Sequence, residues 1–276
     1  MRGLAVAAGG GRYRVGPGSV NPAPSARPRG KGGIRMAWRG FFGRGLDLVC
    51  PPRCVFCQAD AEPGGAAAVV CGSCRRLLTA DVARCRLCGS PATSDSTCRG
   101  CQGRWQSWDG IAVLGGYADD LRTAVLAAKR PAGELVVAGL VTLLLERHQQ
   151  TLAAWRPSLV VPVPLHWTRR LARGSSAAHG LARGVAAGLA LPCRSLLRRV
   201  RATRMQNELP PQDRRNNVKA AFRSRSAAGC RVLLVDDVVT TGGTLAECGA
   251  ALAAAGAAAV YAMVVARADR GDTLSS

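Results

Sequence analysis

Val232-Leu233-Leu234-Val235-Asp236-Asp237-Val238-Val239-Thr240-Thr241-Gly242-Gly243-Thr244 carries the architecture of this chain. Four aliphatic residues between Gly229 and an acidic pair read as a fully buried parallel strand. A small, hydroxylated, Gly-containing loop follows, and a helical pattern then opens from Leu245 to Ala255. Strand, short loop and helix N-terminus in that order build an anion site, because first-turn N–H groups point outward and the macrodipole favours negative charge. Thr240, Thr241 and Thr244 add hydroxyl donors, while Gly242 and Gly243 let the backbone close around an anion. Asp236 and Asp237 fall at the C-terminal end of the strand, where open α/β sheets place ligands. Carboxylates do not serve a phosphate; they suit ribose hydroxyls, or Mg²⁺ held between oxygens.

The run resembles the phosphoribosyl-pyrophosphate (PRPP) motif of type I phosphoribosyltransferases. A plain strand, a polar turn and a helix capped by Thr244 would use some of the same residues. The acid pair, threonine pair and glycines together say more than that. No GKS or GKT follows a spaced glycine, so this is not a Walker A loop, and no GxGxxG is present.

Working outward, strands alternate with helices, which indicates an α/β domain with a mostly parallel sheet. Gly110 to Tyr117 reads as an alternating strand. Asp119 to Lys129 and Glu134 to His148 read as helices parted by Pro131-Ala132-Gly133. Ser158 to Val163 is a second buried strand leaving through Pro162-Val163-Pro164-Leu165, where proline removes ladder donors and suits a rigid exit. His166, Arg169, Arg170 and Arg173 follow, then a helix from about Ala177 to Ala190, a short strand Leu196–Val200, a basic loop, and a last strand near Val260–Val265. His148 reads as a helix-end surface residue and His179 as lying on an exposed helix face. The run Leu135 to Leu145 is apolar but short and ends in Glu146-Arg147-His148, so no membrane insertion is expected.

Nine of the twelve cysteines lie between Cys50 and Cys101. Eight form CxxC knuckles: Cys54/Cys57, Cys71/Cys74, Cys85/Cys88 and Cys98/Cys101. One knuckle brings two thiolates to a tetrahedral ion, and two complete a Cys₄ zinc site. The pattern reads as two structural zinc ribbons whose pairing is either sequential or interleaved. Disulfides would require an oxidising compartment, and no signal peptide is visible; a cytoplasmic protein is expected. Each filled site would carry net −2, since the ligands bind as thiolates. Cys50 is spare, and Cys193, Cys230 and Cys248 read as small buried residues.

Formal net charge is +21, and Met1 to Arg35 holds seven basic residues and no acid; discounting these takes +21 to +14. That Gly/Pro-rich segment reads as disordered. A second start at Met36 makes an over-extended N-terminus the expected explanation. The organisation is then a basic tail and lead-in over 1–45, a double zinc ribbon over 46–104, a phosphoribosyltransferase-like domain over 105–268 and a tail over 269–276.

From roughly Leu46 to Ala266 the chain resembles the ComF (competence-type) family, a double zinc ribbon followed by a phosphoribosyltransferase domain. The resemblance rests on the knuckles ahead of the Asp-Asp/Thr-Thr loop, on Val161-Pro162-Val163-Pro164-Leu165, on Lys129, and on Thr203, Gln206, Leu209, Arg214 and Asn217. Where the family carries Arg-Gly-Phe-Asn-Gln, this chain has Arg173-Gly174-Ser175-Ser176-Ala177, without the aromatic and both amides. The resemblance implies PRPP bound with Mg²⁺: the 5′-phosphate at Thr240–Thr244, ribose hydroxyls at the catalytic pair Asp236 and Asp237, and pyrophosphate near Leu165 and His166. Lys129, Arg169 and Arg170 would neutralise the pyrophosphate, and the phosphoribosyl group would pass to an acceptor the sequence does not identify. The alternative is a non-catalytic factor in DNA uptake that binds single-stranded DNA. There the arginines Arg198, Arg199, Arg201 and Arg204 would meet phosphates, and Trp105 and Trp108 would stack on bases.

Overall fold

The computed structural model describes residues 52–60, 70–79, 82–92, 98, 101, 107–164, 177–200 and 221–268. Expectations for the 1–45 tail, Met36, Cys50 and the 269–276 tail lie outside the described residues. In chain order the elements are α1 (Gly72–Leu78), β1 (Gly110–Gly116), α2 (Asp119–Ala128), α3 (Glu134–Arg147), α4 (Gln149–Trp155) and β2 (Leu159–Pro162). Then come α5 (Ala177–Gly188), β3 (Leu197–Arg199), β4 (Phe222–Ser224), β5 (Arg231–Val239), α6 (Gly243–Ala254) and β6 (Ala259–Arg267).

The main sheet has the order β1-β6-β5-β2, and every neighbouring pair is parallel. Strand period sorts its side chains into two cores. Leu233, Val235, Met263, Val160 and Leu114 face α2, α3 and α5. Val232, Leu234, Val264, Val161 and Val113 face α6 and the β3–β4 ribbon. Both faces are covered, which is why the strands read as continuous apolar runs. The same cover corrects the alternation expected for Gly110 to Tyr117: residues 110–115 are all buried.

The short strand expected at Leu196–Val200 does form, as Leu197–Arg199, but outside the main sheet. It pairs antiparallel with β4, so Arg198 stands opposite Arg223. β4 has no apolar run to announce it; Phe222 alone is buried there. The extra helix α4 likewise follows α3 after a break at His148 that the apolar pattern does not mark.

Helices α3 and α5 pack through a glycine groove. A Cβ on Gly184 would stand 2.7 Å from Val141 Cγ2, and one on Gly188 would stand 2.3 Å from Leu145 Cδ1. Valine and leucine ridges at i, i+4 and i+8 on one helix thus fill a row left bare on the other. The contact fixes α5 behind the exit of β2.

The cysteine-rich segment is continuous with this core. Cys54, Val70, Cys74 and Leu78 share a cluster with Leu140 and Leu233. Val55 and Phe56 sit against Gly139, where a Cβ would meet their side chains at 2.6 and 2.9 Å. Arg75 pairs with Glu146, and Arg147 Nη1 donates to Thr79 O at 2.9 Å. Four single residues depart from the sequence expectation. His148 is partly buried, and its Nε2 donates to Val113 O at 3.1 Å. His179 is half-buried, with Nε2 3.5 Å from Ser195 Oγ. Cys248 is fully buried, but Cys193 and Cys230 are only partly so.

Candidate functional site

β5 runs past its apolar core through Asp236 and Asp237 to Val239 before the loop begins. Successive strand positions alternate between faces. Asp237 therefore shares the face of Leu233 and Val235, and its Oδ2 lies 2.8 Å from Lys129 Nζ at the C-terminus of α2. Asp236 shares the face of Val232 and Leu234, toward α6. Each acid also accepts from the following backbone N–H: Asp237 N donates to Asp236 Oδ1 at 2.9 Å, and Val238 N donates to Asp237 Oδ1 at 2.7 Å.

Asp236 keeps some exposed residue surface, but its carboxylate is enclosed. Burial pushes its pKa well above the usual carboxylate range, and the Asp237 charge adds to the push. The Asp237 backbone N–H and Lys129 oppose it in part. The two acids offer carboxylate oxygens on either face of the strand end, and that donor type fits Mg²⁺ chemistry.

Beyond Val239 the chain turns through Thr240 and Thr241, both exposed, into Gly242. Gly242 is left-handed at φ 79° and occupies the N-cap of α6 with no side-chain cap. Thr244 lies inside the first turn, so it is not the cap that a bare reading of the sequence assigns. The left-handed backbone at Gly242 sets the entry angle of the helix instead. The first-turn N–H groups of α6 accordingly have no capping oxygen from their own N-cap residue.

A large hollow lies elsewhere. A cavity of about 960 Å³ runs between α3 and α5, bounded by Arg130, Glu134, Pro162, His179, Arg183 and Ser195. Neither acid nor any of the three threonines lines it. The chemistry of the strand-end loop, rather than volume, marks the candidate site. Leu165, His166, Arg169 and Arg170 lie outside the described residues, as do Gly174–Ser176, Trp105, Arg201, Arg204, Thr203, Gln206, Leu209, Arg214 and Asn217.

The eight knuckle cysteines form two groups in sequential pairing: Cys54, Cys57, Cys71 and Cys74, then Cys85, Cys88, Cys98 and Cys101. The two are structural copies. Gln58 N donates to Cys54 O at 2.9 Å and Gly89 N donates to Cys85 O at 2.7 Å. The residue after each first knuckle is left-handed, Gln58 at φ 62° and Gly89 at φ 73°. Sulfur separations of 3.6 Å for Cys57–Cys71 and Cys88–Cys98, and 3.8 Å for Cys85–Cys101, are far too long for disulfides. They match the edge of a tetrahedron with Zn–S near 2.3 Å, roughly 3.8 Å. At Cys54 and Cys85 burial opposes the thiolate, but backbone N–H donors outweigh it and bring both to about 6. Burial and neighbouring sulfurs push Cys74 and Cys101 up. The donor sets fit two structural zinc ions with every ligand position taken by sulfur.

Sequence reading missed how the second cluster meets the sheet. Consecutive knuckle carbonyls all accept from the α/β domain: Arg86 O from Ile111 N at 2.8 Å, Leu87 O from Trp108 Nε1 at 2.7 Å, and Cys88 O from Arg267 Nη1. β1 is an edge strand, and the knuckle and His148 occupy backbone groups that β6 leaves over. The only signal in the sequence is a tryptophan just before a strand. Trp108 is 6% exposed, which removes it as a base-stacking platform.

Comparison with known proteins gives the same two parts. A phosphoribosyl transferase domain matches residues 171–275 and a double zinc ribbon domain matches residues 45–102. The DNA utilization protein YhgH of Salmonella typhimurium is 33% identical over 207 residues, covering 72% of this chain and 90% of that protein. YhgH of Escherichia coli K12 is 31% identical over 226 residues, 80% of this chain and 99% of that protein. Competence protein F of Haemophilus influenzae is 30% identical over 207 residues, 71% and 88% respectively.

Proposed function

This chain belongs to the family of competence protein F and DNA utilization protein YhgH, and from that membership we propose that it binds PRPP with Mg²⁺ at the strand-end loop. One observation carries the reading: α6 opens on an uncapped, left-handed Gly242 directly beyond a carboxylate pair at the end of a parallel strand. The 5′-phosphate takes the N–H groups and hydroxyls of Thr240–Thr244. Asp236 and Asp237 hold the ribose hydroxyls, directly or through metal. The pyrophosphate lies toward Leu165 and His166, with Lys129, Arg169 and Arg170 as counter-charges.

Mg²⁺ supplies charge neutralisation for the departing pyrophosphate. In transfer, the C1′–O bond to pyrophosphate would break, the electron pair leaving with it, and a nitrogen nucleophile would form the new C1′ bond and release its N–H proton to solvent. Positioning and electrostatics are this chain's contribution. Isothermal titration with Mg-PRPP tests the site: the wild type binds, and Asp236→Asn and Asp237→Asn weaken binding at least tenfold, about 1.4 kcal/mol. No heat from the wild type would remove the reading. Pyrophosphate release across a panel of bases and amines identifies the acceptor.

A second reading, single-stranded DNA binding in DNA uptake, draws on the names of the relatives and on the β3–β4 ribbon. Arg198 and Arg223 are exposed and directly opposite across the strands, with exposed Arg225 following. Like charges so placed destabilise a ribbon unless a polyanion meets them. Arg199 is committed to the ring of Phe222, 5.4 Å from its centroid. Affinity for an oligonucleotide that falls steeply with salt, and more shallowly in Arg198→Ala/Arg223→Ala, supports this; a flat salt response ends it. No helix among the described residues is long and apolar enough to cross a membrane. Two Cys₄ groups spaced for metal rather than disulfides support reading the protein as one of a reducing compartment, the cytoplasm.

A further inference from the structure

Trp108 stands between two sites that are far apart in sequence. Its Nε1 donates to Leu87 O at 2.7 Å, inside the Cys85–Cys88 knuckle. The far edge of its ring reaches the anion loop: a Cβ on Gly242 would lie 3.3 Å from Trp108 Cη2. The adjoining residue meets the same helix two turns on, where a Cβ on Gly249 would stand 2.1 Å from Ser107 O. Asp109 then ties the segment to the sheet, accepting from Val260 N at 2.8 Å and donating its own N–H to Val260 O at 2.7 Å. Residues 107–109 thus form a strap with one end on the second cysteine cluster and its body against α6.

Glycines with left-handed backbone stand at both ends of the strap. Gly89, directly after Cys88, is left-handed and would place a Cβ 2.5 Å from Val113 Cγ2. Gly242 is left-handed at the other end. The indole is held at one edge by Leu87 O and lies with its other edge against Gly242, so a shift of the knuckle carbonyls moves the indole, and a shift of the indole moves the Gly242 backbone. A knuckle keeps its shape because both its cysteines bind one ion.

We propose that Trp108 is a positioning residue through which zinc at Cys85, Cys88, Cys98 and Cys101 sets the geometry of the Gly242 loop, and so its affinity for a phosphate-bearing ligand. The affinity part rests on the PRPP reading above; the geometric part does not. The zinc of this module therefore acts on the binding site as well as on folding.

The experiment uses the full chain with both zinc ions and measures hydrogen exchange of the peptide spanning 240–246, zinc content, and Mg-PRPP binding. Trp108→Phe keeps an apolar ring and loses the N–H donor; it retains both zinc ions, while loop exchange rises about fivefold, the effect of one net hydrogen bond. Cys98→Ser, which releases the second zinc alone, raises loop exchange at least as much. Trp155→Phe, at the Tyr261 stack 4.6 Å across, leaves the loop unchanged. Unchanged loop exchange in either Trp108→Phe or zinc-depleted Cys98→Ser overturns the proposal. If Cys98→Ser does not fold, Trp108→Phe decides alone. Failure of the wild type to bind PRPP would remove the functional reading but leave the exchange result to judge the coupling.

Discussion

Lys129 Nζ and Asp237 Oδ2 are 2.8 Å apart, joining the C-terminus of α2 to the end of the central strand β5. Their side chains are 29% and 21% exposed, so solvent screens the pair and its contribution to stability is below about 1 kcal/mol. Lys129→Met should therefore shift the urea midpoint only slightly, yet weaken Mg-PRPP binding by about tenfold or more. Titration calorimetry beside urea denaturation separates the two effects. A large stability loss with unchanged binding would make the pair a structural one.

Gly184→Ala tests the α3–α5 groove. Alanine is the better helix former by about 1 kcal/mol, so an exposed site would gain stability. Here the new Cβ would stand 2.7 Å from Val141 Cγ2. Overpacking costs about 1–3 kcal/mol, and we expect a net loss. Adding Val141→Ala to Gly184→Ala should recover part of it, since the clash is with that side chain. Urea midpoints of the three variants decide the matter.

His148 predicts a stability that depends on pH. Burial brings its pKa down from 6.5 to about 4, against the opposing hydrogen bond to Val113 O; the Arg147 charge adds a smaller downward push. In the unfolded chain the imidazole takes up a proton near its ordinary value, whereas the folded protein resists until about 4. The folded state thus binds fewer protons across that window, and stability falls as pH falls through it, by up to about 3 kcal/mol. His148→Gln should flatten the dependence. Because acid also competes for the zinc thiolates, the comparison is between wild type and variant at each pH.

Zinc removal should unfold more than the ribbons. Cys54, Val70, Cys74 and Leu78 share a cluster with Leu140 and Leu233, and Arg147 of α3 holds Thr79 O. A high-affinity chelator should lower the melting temperature of the whole described domain in one calorimetric transition. Two separate transitions, with the parallel sheet melting at its original temperature, would show the ribbons to be independent.

The elements with strong one-dimensional signals were readable in advance. The aliphatic run of β5, the apolar period of α2, α3 and α5, and the CxxC spacing are local properties, and the structure shows them where the pattern lies. β4 was not readable, because Phe222 is its one buried residue and its partner β3 is separated from it by a long stretch of chain. The plain alternative of a Thr244 cap does not hold for a different reason: composition favours threonine at an N-cap, but the left-handed turn at Gly242 puts the helix start two residues earlier. Trp108 was misjudged because nothing beside it in sequence shows that three zinc-knuckle carbonyls lie against the sheet edge.

By itself, then, the sequence determined the parallel α/β class, the cysteine ligands and the acid–threonine–glycine loop. Each of these is written in neighbouring residues, through strand period, knuckle spacing and backbone permissiveness. Tertiary structure decided the sequential pairing of the cysteines, the meeting of Lys129 with Asp237, and the strap from Leu87 through Trp108 to Gly242. Those relationships depend on which edge of the sheet the ribbons cover and which strand follows which. Such choices are settled by closing long loops over a shared core, and no short window of residues records them.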